Sequence, residues 1–248
     1  MNFRNLPLLL SLGLASGAQA AVVFQDSFGA NSDANWSFSG QNSGTWAAAD
    51  NKLQTSTSAT DHNPTVPGFA AINGLATSTH FKIEADVQII GTAPGKPALN
   101  FGHVGVFWGY QDANTYSTGY LRTHYNEVTA WESPYAGEVL TPLGFDAVNA
   151  ANVNGVSYHL SFEVDYLNQT MTVKLDGVTA TYTGANFAMA NSAGGVGGQL
   201  GVISWGERAS YDNVVVTDYT VADPVPEPTP LALLALGAAA LAFGRRKA

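Results

Sequence analysis

The 248-residue chain has no cysteine, which excludes structural disulfides, cysteine-ligated zinc, iron–sulfur clusters and thiol nucleophiles. It is also poor in charge. Asp, Glu, Lys and Arg together make up 12% of it, about half the usual share, so Gly, Ser, Thr and Asn must supply the polarity. Basic residues are the scarcer sign, with ten Lys and Arg against nineteen Asp and Glu for a net charge of −9. That balance argues against nucleic acid as a partner, because no basic face is available to meet phosphates. The five histidines (His62, His80, His103, His124 and His159) show no His-Glu-x-x-His spacing, and Gly-x-Ser-x-Gly does not occur. Neither a zinc-protease site nor a nucleophile elbow is therefore indicated. Between the two ends there is no convincing amphipathic helix and no repeating period, which argues against a propeller or solenoid. What the chain does have is a hydrophobic share of 46%, enough for a substantial core.

Both ends read as export addresses. In residues 1–20, Arg4 precedes the apolar stretch Leu6–Ala15, and Ala18-Gln19-Ala20 supplies small residues before a cleavage point. This is the order of a secretory signal helix, removed by signal peptidase after entry into the general secretion machinery. The mature chain is then expected to begin near Ala21. At the other end, Val225-Pro226-Glu227-Pro228-Thr229-Pro230 is followed by the apolar run Leu231–Phe243 and the basic tail Arg245, Arg246 and Lys247. Alternating prolines make an extended stalk that cannot join a sheet. The run has thirteen residues and reaches ~20 Å as a helix, short of a ~30 Å hydrocarbon core unless flanking and snorkelling residues extend it. The basic tail holds the C-terminus in the cytoplasm and leaves the body of the protein outside.

This C-terminal arrangement resembles the PEP-CTERM sorting signal of Gram-negative bacteria: a Val-Pro-Glu-Pro box, a short transmembrane helix and a basic tail. The resemblance implies an exosortase as partner, a transient stay at the inner membrane, and then a place at the cell surface or in the exopolysaccharide matrix. The expected organisation is a signal peptide at 1–20, a folded domain at 21–223 and the sorting signal at 224–248. The domain carries six basic residues (Lys52, Lys82, Lys96, Arg122, Lys174 and Arg208) against eighteen acidic ones, a net of −12. Such acidity suits divalent cations and disfavours anionic polymers.

The domain itself reads as β-structure. Phe81–Ile90 alternates Phe81, Ile83, Ala85, Val87 and Ile89 with the polar Lys82, Glu84, Asp86 and Gln88, as a strand with one buried and one wet face does. Tyr158–Tyr166 does the same, with Tyr158, Leu160, Phe162, Val164 and Tyr166 on one side. A turn at Asn168-Gln169, the strand Thr170–Leu175, an Asp176-Gly177 hairpin and Val178–Tyr182 complete a three-stranded meander. Further strands are expected at Val22–Phe28, Thr45–Ala48, Lys52–Thr57, Phe69–Asn73, Val104–Gln111, Tyr116–Tyr125, Glu127–Glu132, Gln199–Ser204 and Ser210–Thr217. About a dozen strands without helical crossovers imply an all-β sandwich of two antiparallel sheets. Phe24-Gln25-Asp26-Ser27-Phe28, Gly109-Tyr110-Gln111-Asp112, Leu175-Asp176-Gly177 and Tyr211-Asp212-Asn213-Val214 together resemble the concanavalin A-like (laminin-G and thrombospondin C-terminal-like) jelly-roll superfamily. That resemblance implies a jelly roll, a fold that hosts lectins, adhesion modules and glycosidases alike.

Three sets of residues are candidates for chemistry. Glu163-Val164-Asp165-Tyr166-Leu167-Asn168 is similar to the Glu-x-Asp-x-x-Glu strand of family-16 glycosidases, but Asn168 occupies the third carboxylate position. A retaining mechanism needs two carboxyls at ~5 Å, so hydrolysis is not expected. Asp26 and Asp212 lie on the first and last strands, which pair in such jelly rolls, and could together hold a structural Ca²⁺; capping of backbone amides at a strand end is the competing use of each, and no cofactor is otherwise required. Trp108, Tyr110, Tyr116, Tyr120, Arg122 and His124 form an aromatic and polar set suited to sugar rings. Even spacing puts the last four on one sheet face, and Trp108 and Tyr110 together on the preceding strand. Core packing is the competing use for these rings. The expectation is a non-enzymatic surface protein that binds polysaccharide. A glycoside hydrolase or lyase on the same fold, and a purely structural matrix component, are the alternatives.

Overall fold

The computed structural model describes residues 20–30, 32–40, 46–55, 67–91, 103–112, 115–122, 127–133, 143–144, 156–183, 196–205 and 208–220. Residues 1–19 of the signal segment, the sorting segment, His62 and His124 lie outside them. Among the described residues no helix is long and apolar enough to cross a membrane.

Fifteen strands are described: β1 (Ala21–Asp26), β2 (Trp36–Gly40), β3 (Trp46–Ala49), β4 (Lys52–Thr55), β5 (Gly68–Ala76), β6 (His80–Gly91), β7 (His103–Asp112), β8 (Thr115–Arg122), β9 (Glu127–Ser133), β10 (Leu143–Gly144), β11 (Ser157–Asp165), β12 (Thr170–Leu175), β13 (Val178–Thr183), β14 (Gln199–Trp205) and β15 (Arg208–Asp218). The one helical element among them is a short 3₁₀ turn, Ser32–Asn35. An eight-stranded sheet has the order β13-β12-β11-β6-β15-β4-β3, with β1 also on β15. A seven-stranded sheet has the order β10-β9-β8-β7-β14-β5-β2. The fold is the expected two-sheet antiparallel sandwich. Two strands and the 3₁₀ turn lie outside the expected segments: β2, five residues in which Trp36 and Phe38 alternate with Ser37 and Ser39, and β10, two residues long.

The alternation in the sequence explains the layers. On β6, Phe81, Ile83, Ala85, Val87 and Ile89 are buried between the sheets, and they meet Leu160, Phe162 and Val164 of β11 and Val104, Val106 and Trp108 of β7 in one core. The hairpin at Asp176-Gly177 forms with both residues at positive φ, 45° and 89°, the conformation of a type I′ turn. Tyr211, fully buried on β15, donates its hydroxyl hydrogen to the Ile203 carbonyl on β14 of the opposite sheet.

Asp26 ends β1 and organises the 3₁₀ turn beyond it. Its Oδ1 accepts from the Phe28 amide and the Ser32 hydroxyl, both at 2.8 Å. Its Oδ2 accepts from Asn35 Nδ2 at 3.2 Å and from the indole N–H of Trp36 at 2.9 Å. One carboxylate thus closes the corner between the two sheets and seats Trp36 in the core.

Candidate functional site

The seven-stranded sheet is apolar on both faces. Its inner face contributes Ala70, Ile72, Val106, Trp108, Leu121 and Val202 to the core. On the opposite face Phe69 and Ala71 of β5, Phe107 of β7, Tyr116 of β8 and Ile203 of β14 form a second buried cluster, against which Tyr110 packs half-buried. Tyr116 and Tyr120 fall on this outer face, two and four per cent exposed. Burial raises the hydroxyl pKa of Tyr116, with Tyr110 adding to the effect.

Tyr110 caps the cluster. Its ring centroid lies 4.7 Å from Phe69, 5.7 Å from Phe107 and 6.3 Å from Tyr116, all at inclined angles. Phe69 in turn meets Phe107 and Tyr116 edge-on at 5.1 and 4.9 Å. These are favourable aromatic geometries, so the outer rings form a fixed platform with Tyr110 as its part-exposed top.

Simple alternation would place Tyr110 beside Trp108, and here the structure corrects the expectation. A register irregularity comes after Trp108 on β7, and Gly109 takes φ 64°. An extra residue in a strand reverses the facing of the residues beyond it. Trp108 therefore sits in the inter-sheet core, 0% exposed, with its indole N–H donating to the Tyr166 hydroxyl at 3.0 Å, while Tyr110 turns outward. The buried Thr77 holds the irregularity in place: its hydroxyl accepts from the Gly109 amide and donates to the Gly198 carbonyl, both at 2.9 Å. Thr77→Val keeps the shape and removes both bonds. It is expected to lower unfolding stability by ~1–3 kcal/mol, read as a drop in the midpoint of chemical denaturation.

Arg122 is in register with His103 on β7 and Glu127 on β9, at the end of β8 away from Tyr116. The side chains of Arg122 and Trp131, like His124, fall outside the described part of the chain. Sequence reasoning missed Phe69 and Ile203 as members of this face. The signal was present in β5, where Phe69 and Ala71 alternate with Ala70 and Ile72: a strand apolar on both sides is covered on both sides.

The outer face of the eight-stranded sheet is polar. His80 pairs with Glu163 at 3.0 Å and stacks on the Tyr219 ring at 4.3 Å. His159 pairs with Asp86 at 2.8 Å, and Lys82 with Glu84 at 2.9 Å. The glycosidase-like stretch resolves into this face and its turn. Asp165 accepts from the amides of Leu167 and Asn168 at 3.0 and 2.9 Å and from Asn168 Nδ2 at 2.6 Å. Burial opposes ionisation of Asp165, but these bonds and the nearby His80 outweigh it and lower its pKa. Asn168 thus acts as a donor that closes the turn before β12.

The proposed Ca²⁺ pair is also corrected. The first and last strands do lie side by side, with Asp26 opposite Val214. However, Asp26 is buried on the core side and its oxygens are occupied by four donors. Asp212 is in register with Asp86 on the outer face, and its Oδ1 accepts from the Asn213 amide. The two carboxylates therefore stand on opposite faces of one sheet. Among the described residues no group of three or more His, Cys, Asp or Glu is placed to hold a metal.

Comparison with known proteins bears on two parts of the chain. Residues 224–247 match the PEP-CTERM protein-sorting motif, so the chain carries a PEP-CTERM sorting signal at its C-terminal end. No curated protein matches the sequence. The fold is similar to that of the carbohydrate-binding module CBM66 from Bacillus subtilis, with 17% identity, 73% of this chain and 96% of that one covered, and a TM-score of 0.50. It is similar to an endo-1,3-β-glucanase from Streptomyces sioyaensis, at 13% identity, 81% and 96% coverage and a TM-score of 0.53. It is also similar to a lectin from Bauhinia forficata solved with GalNAc, at 11% identity, 82% and 99% coverage and a TM-score of 0.51. At these identities the likeness establishes the fold, a jelly roll of the galectin and concanavalin A kind.

Proposed function

We propose that the chain is an exported protein, processed through its sorting signal by an exosortase, whose sandwich binds polysaccharide at the outer face of the seven-stranded sheet without acting on it as an enzyme. The observation that carries this reading is the second aromatic cluster. A sandwich needs only one apolar face per sheet to build its core, yet this sheet sets Phe69, Phe107, Tyr110 and Tyr116 on the other one. The part-exposed ring of Tyr110 at the top of such a cluster suits the apolar C–H face of a sugar. The sorting signal supports a working place outside the cytoplasm, where extracellular polysaccharide is the abundant ligand. The likeness to a carbohydrate-binding module and a lectin agrees with that use of the fold.

Glycan-array binding of the secreted protein tests the proposal. Tyr110→Ala is expected to weaken binding about tenfold, the ~1.4 kcal/mol typical of one good aromatic contact, while the thermal midpoint moves little. Absence of binding to any glycan would leave the structural matrix reading. Release of reducing sugar from a bound glucan would instead establish the enzyme reading, for which the likeness to a glucanase fold is the supporting observation.

A further inference from the structure

Ala21, where the mature chain is expected to begin, is in register with Asp218 at the end of β15. Asp218 is itself opposite Phe81 at the start of β6, and the Tyr219 amide donates to the His80 carbonyl at 2.9 Å. The two segments that address the chain to a membrane therefore leave the sandwich side by side, from one pole.

The same pole carries most of the exposed large apolar side chains. Val22, opposite Thr217 on β15, is 60% exposed. Leu167, in the turn after β11, is 74% exposed, and the adjacent Tyr166 amide bonds the Thr79 carbonyl just before β6. Val196 is 50% exposed, next to Gly197, whose amide bonds the Thr77 carbonyl in the same β5–β6 connection. Val23 adds to Val22 on β1. Among the described residues only Val156 and Val178 of the exposed large apolar set stand elsewhere, by the opposite ends of β11 and β13, where Ser157 is in register with Gln88 and Val178 with Leu175.

We infer that this pole is a membrane-apposed surface: during the tethered stage of export the sandwich stands on the bilayer through Val22, Leu167 and Val196. This rests on the reading of the two ends as membrane segments. The tether lengths agree with it. Ala21 is six residues beyond Ala15, the last residue of the leader's apolar stretch, a reach of at most ~20 Å. Thr220 is eleven residues before Leu231, or ~34 Å if the proline-rich stretch is fully extended. Until signal peptidase removes the leader, its shorter side holds the pole close to lipid; afterwards the C-terminal stalk keeps it within reach, and the aliphatic rim lowers its hydration cost by entering the interface.

The absence of cysteine makes the test direct, because any introduced thiol is unique. Full-length chain with an intact sorting segment is placed in phosphatidylglycerol–phosphatidylethanolamine vesicles, with one fluorophore at Leu167→Cys, Val196→Cys, Val156→Cys or Val178→Cys. Quenching by spin-labelled lipid is expected to be several-fold stronger at 167 and 196 than at 156 and 178. Val196 and Val178 are the informative pair, since both are valines of similar exposure, 50% and 54%. Equal quenching at the two poles, with the chain floating with the vesicles, overturns the standing pole while leaving the tether reading intact. A chain that does not float overturns the membrane reading of the tail, and the inference with it.

Discussion

Asp26→Asn is expected to lower the unfolding free energy by about 3 kcal/mol. Four donors converge on this one carboxylate: the Phe28 amide, the Ser32 hydroxyl, Asn35 and the Trp36 indole. An asparagine amide presents only one accepting oxygen, so its NH₂ group must face donors already buried against it. Bonds to a charged acceptor are the stronger kind, and leaving their donors unpaired costs more than never having made them. The same site sets an acid limb. Burial raises the pKa of Asp26, but the bonds from Trp36, Phe28, Asn35 and Ser32 together overcome it, and the folded pKa lies below the ordinary carboxylate value. A depressed folded pKa stabilises the native state above the unfolded value of ~3.9, and that contribution is lost as pH falls through the folded pKa. Chemical denaturation between neutral pH and strong acid should therefore show the gap between wild type and Asp26→Asn narrowing below about pH 4. A gap that stays constant across the acid limb would mean that the carboxylate's charge does not contribute. Asp165, also depressed, keeps part of the acid sensitivity in the variant.

Gly119→Ala is expected to cost about 2–3 kcal/mol through overpacking. Gly119 is on the core side of β8, and the Phe162 ring of the opposite sheet lies directly over its backbone. A Cβ there would stand 2.3 Å from the ring's Cζ, well inside van der Waals contact, so either the ring or the sheet must move. Phe162→Leu in the same chain makes room and should return part of the loss, although the leucine leaves a cavity when introduced alone. The coupling between the two substitutions, measured by a double-mutant cycle of denaturant midpoints, should be favourable. Additive losses would mean that the sheets separate locally rather than repacking around the pair.

Much of this architecture was legible before any coordinates. Alternation on Phe81–Ile90 and Tyr158–Tyr166 named the core faces of β6 and β11 because a pleated strand turns successive side chains to opposite sides. Asp176-Gly177 announced its hairpin because few other dipeptides accept two positive φ angles in succession. The candidate site was less legible. Tyr116 and Tyr120 do share a face, but Trp108 and Tyr110 part company at Gly109, and a single irregular residue leaves no trace in a two-residue period. The resemblance of Glu163–Asn168 to a catalytic strand was local. Its meaning depended on where Asn168 Nδ2 points, and it points at Asp165.

By itself, then, the sequence determined most of the segments that become strands, that those strands form two antiparallel sheets, and that the last residues are a PEP-CTERM sorting signal. These are properties of local periodicity and of short linear motifs. Only the tertiary structure decided which face each residue of β7 occupies, that Asp26 and Asp212 stand on opposite sides of one sheet, that Phe69 and Ile203 join Tyr110, and that Ala21 and Asp218 meet at one pole. Those facts depend on register between strands far apart in the chain, and pairing of that kind is settled by packing across the sandwich rather than by neighbours in sequence.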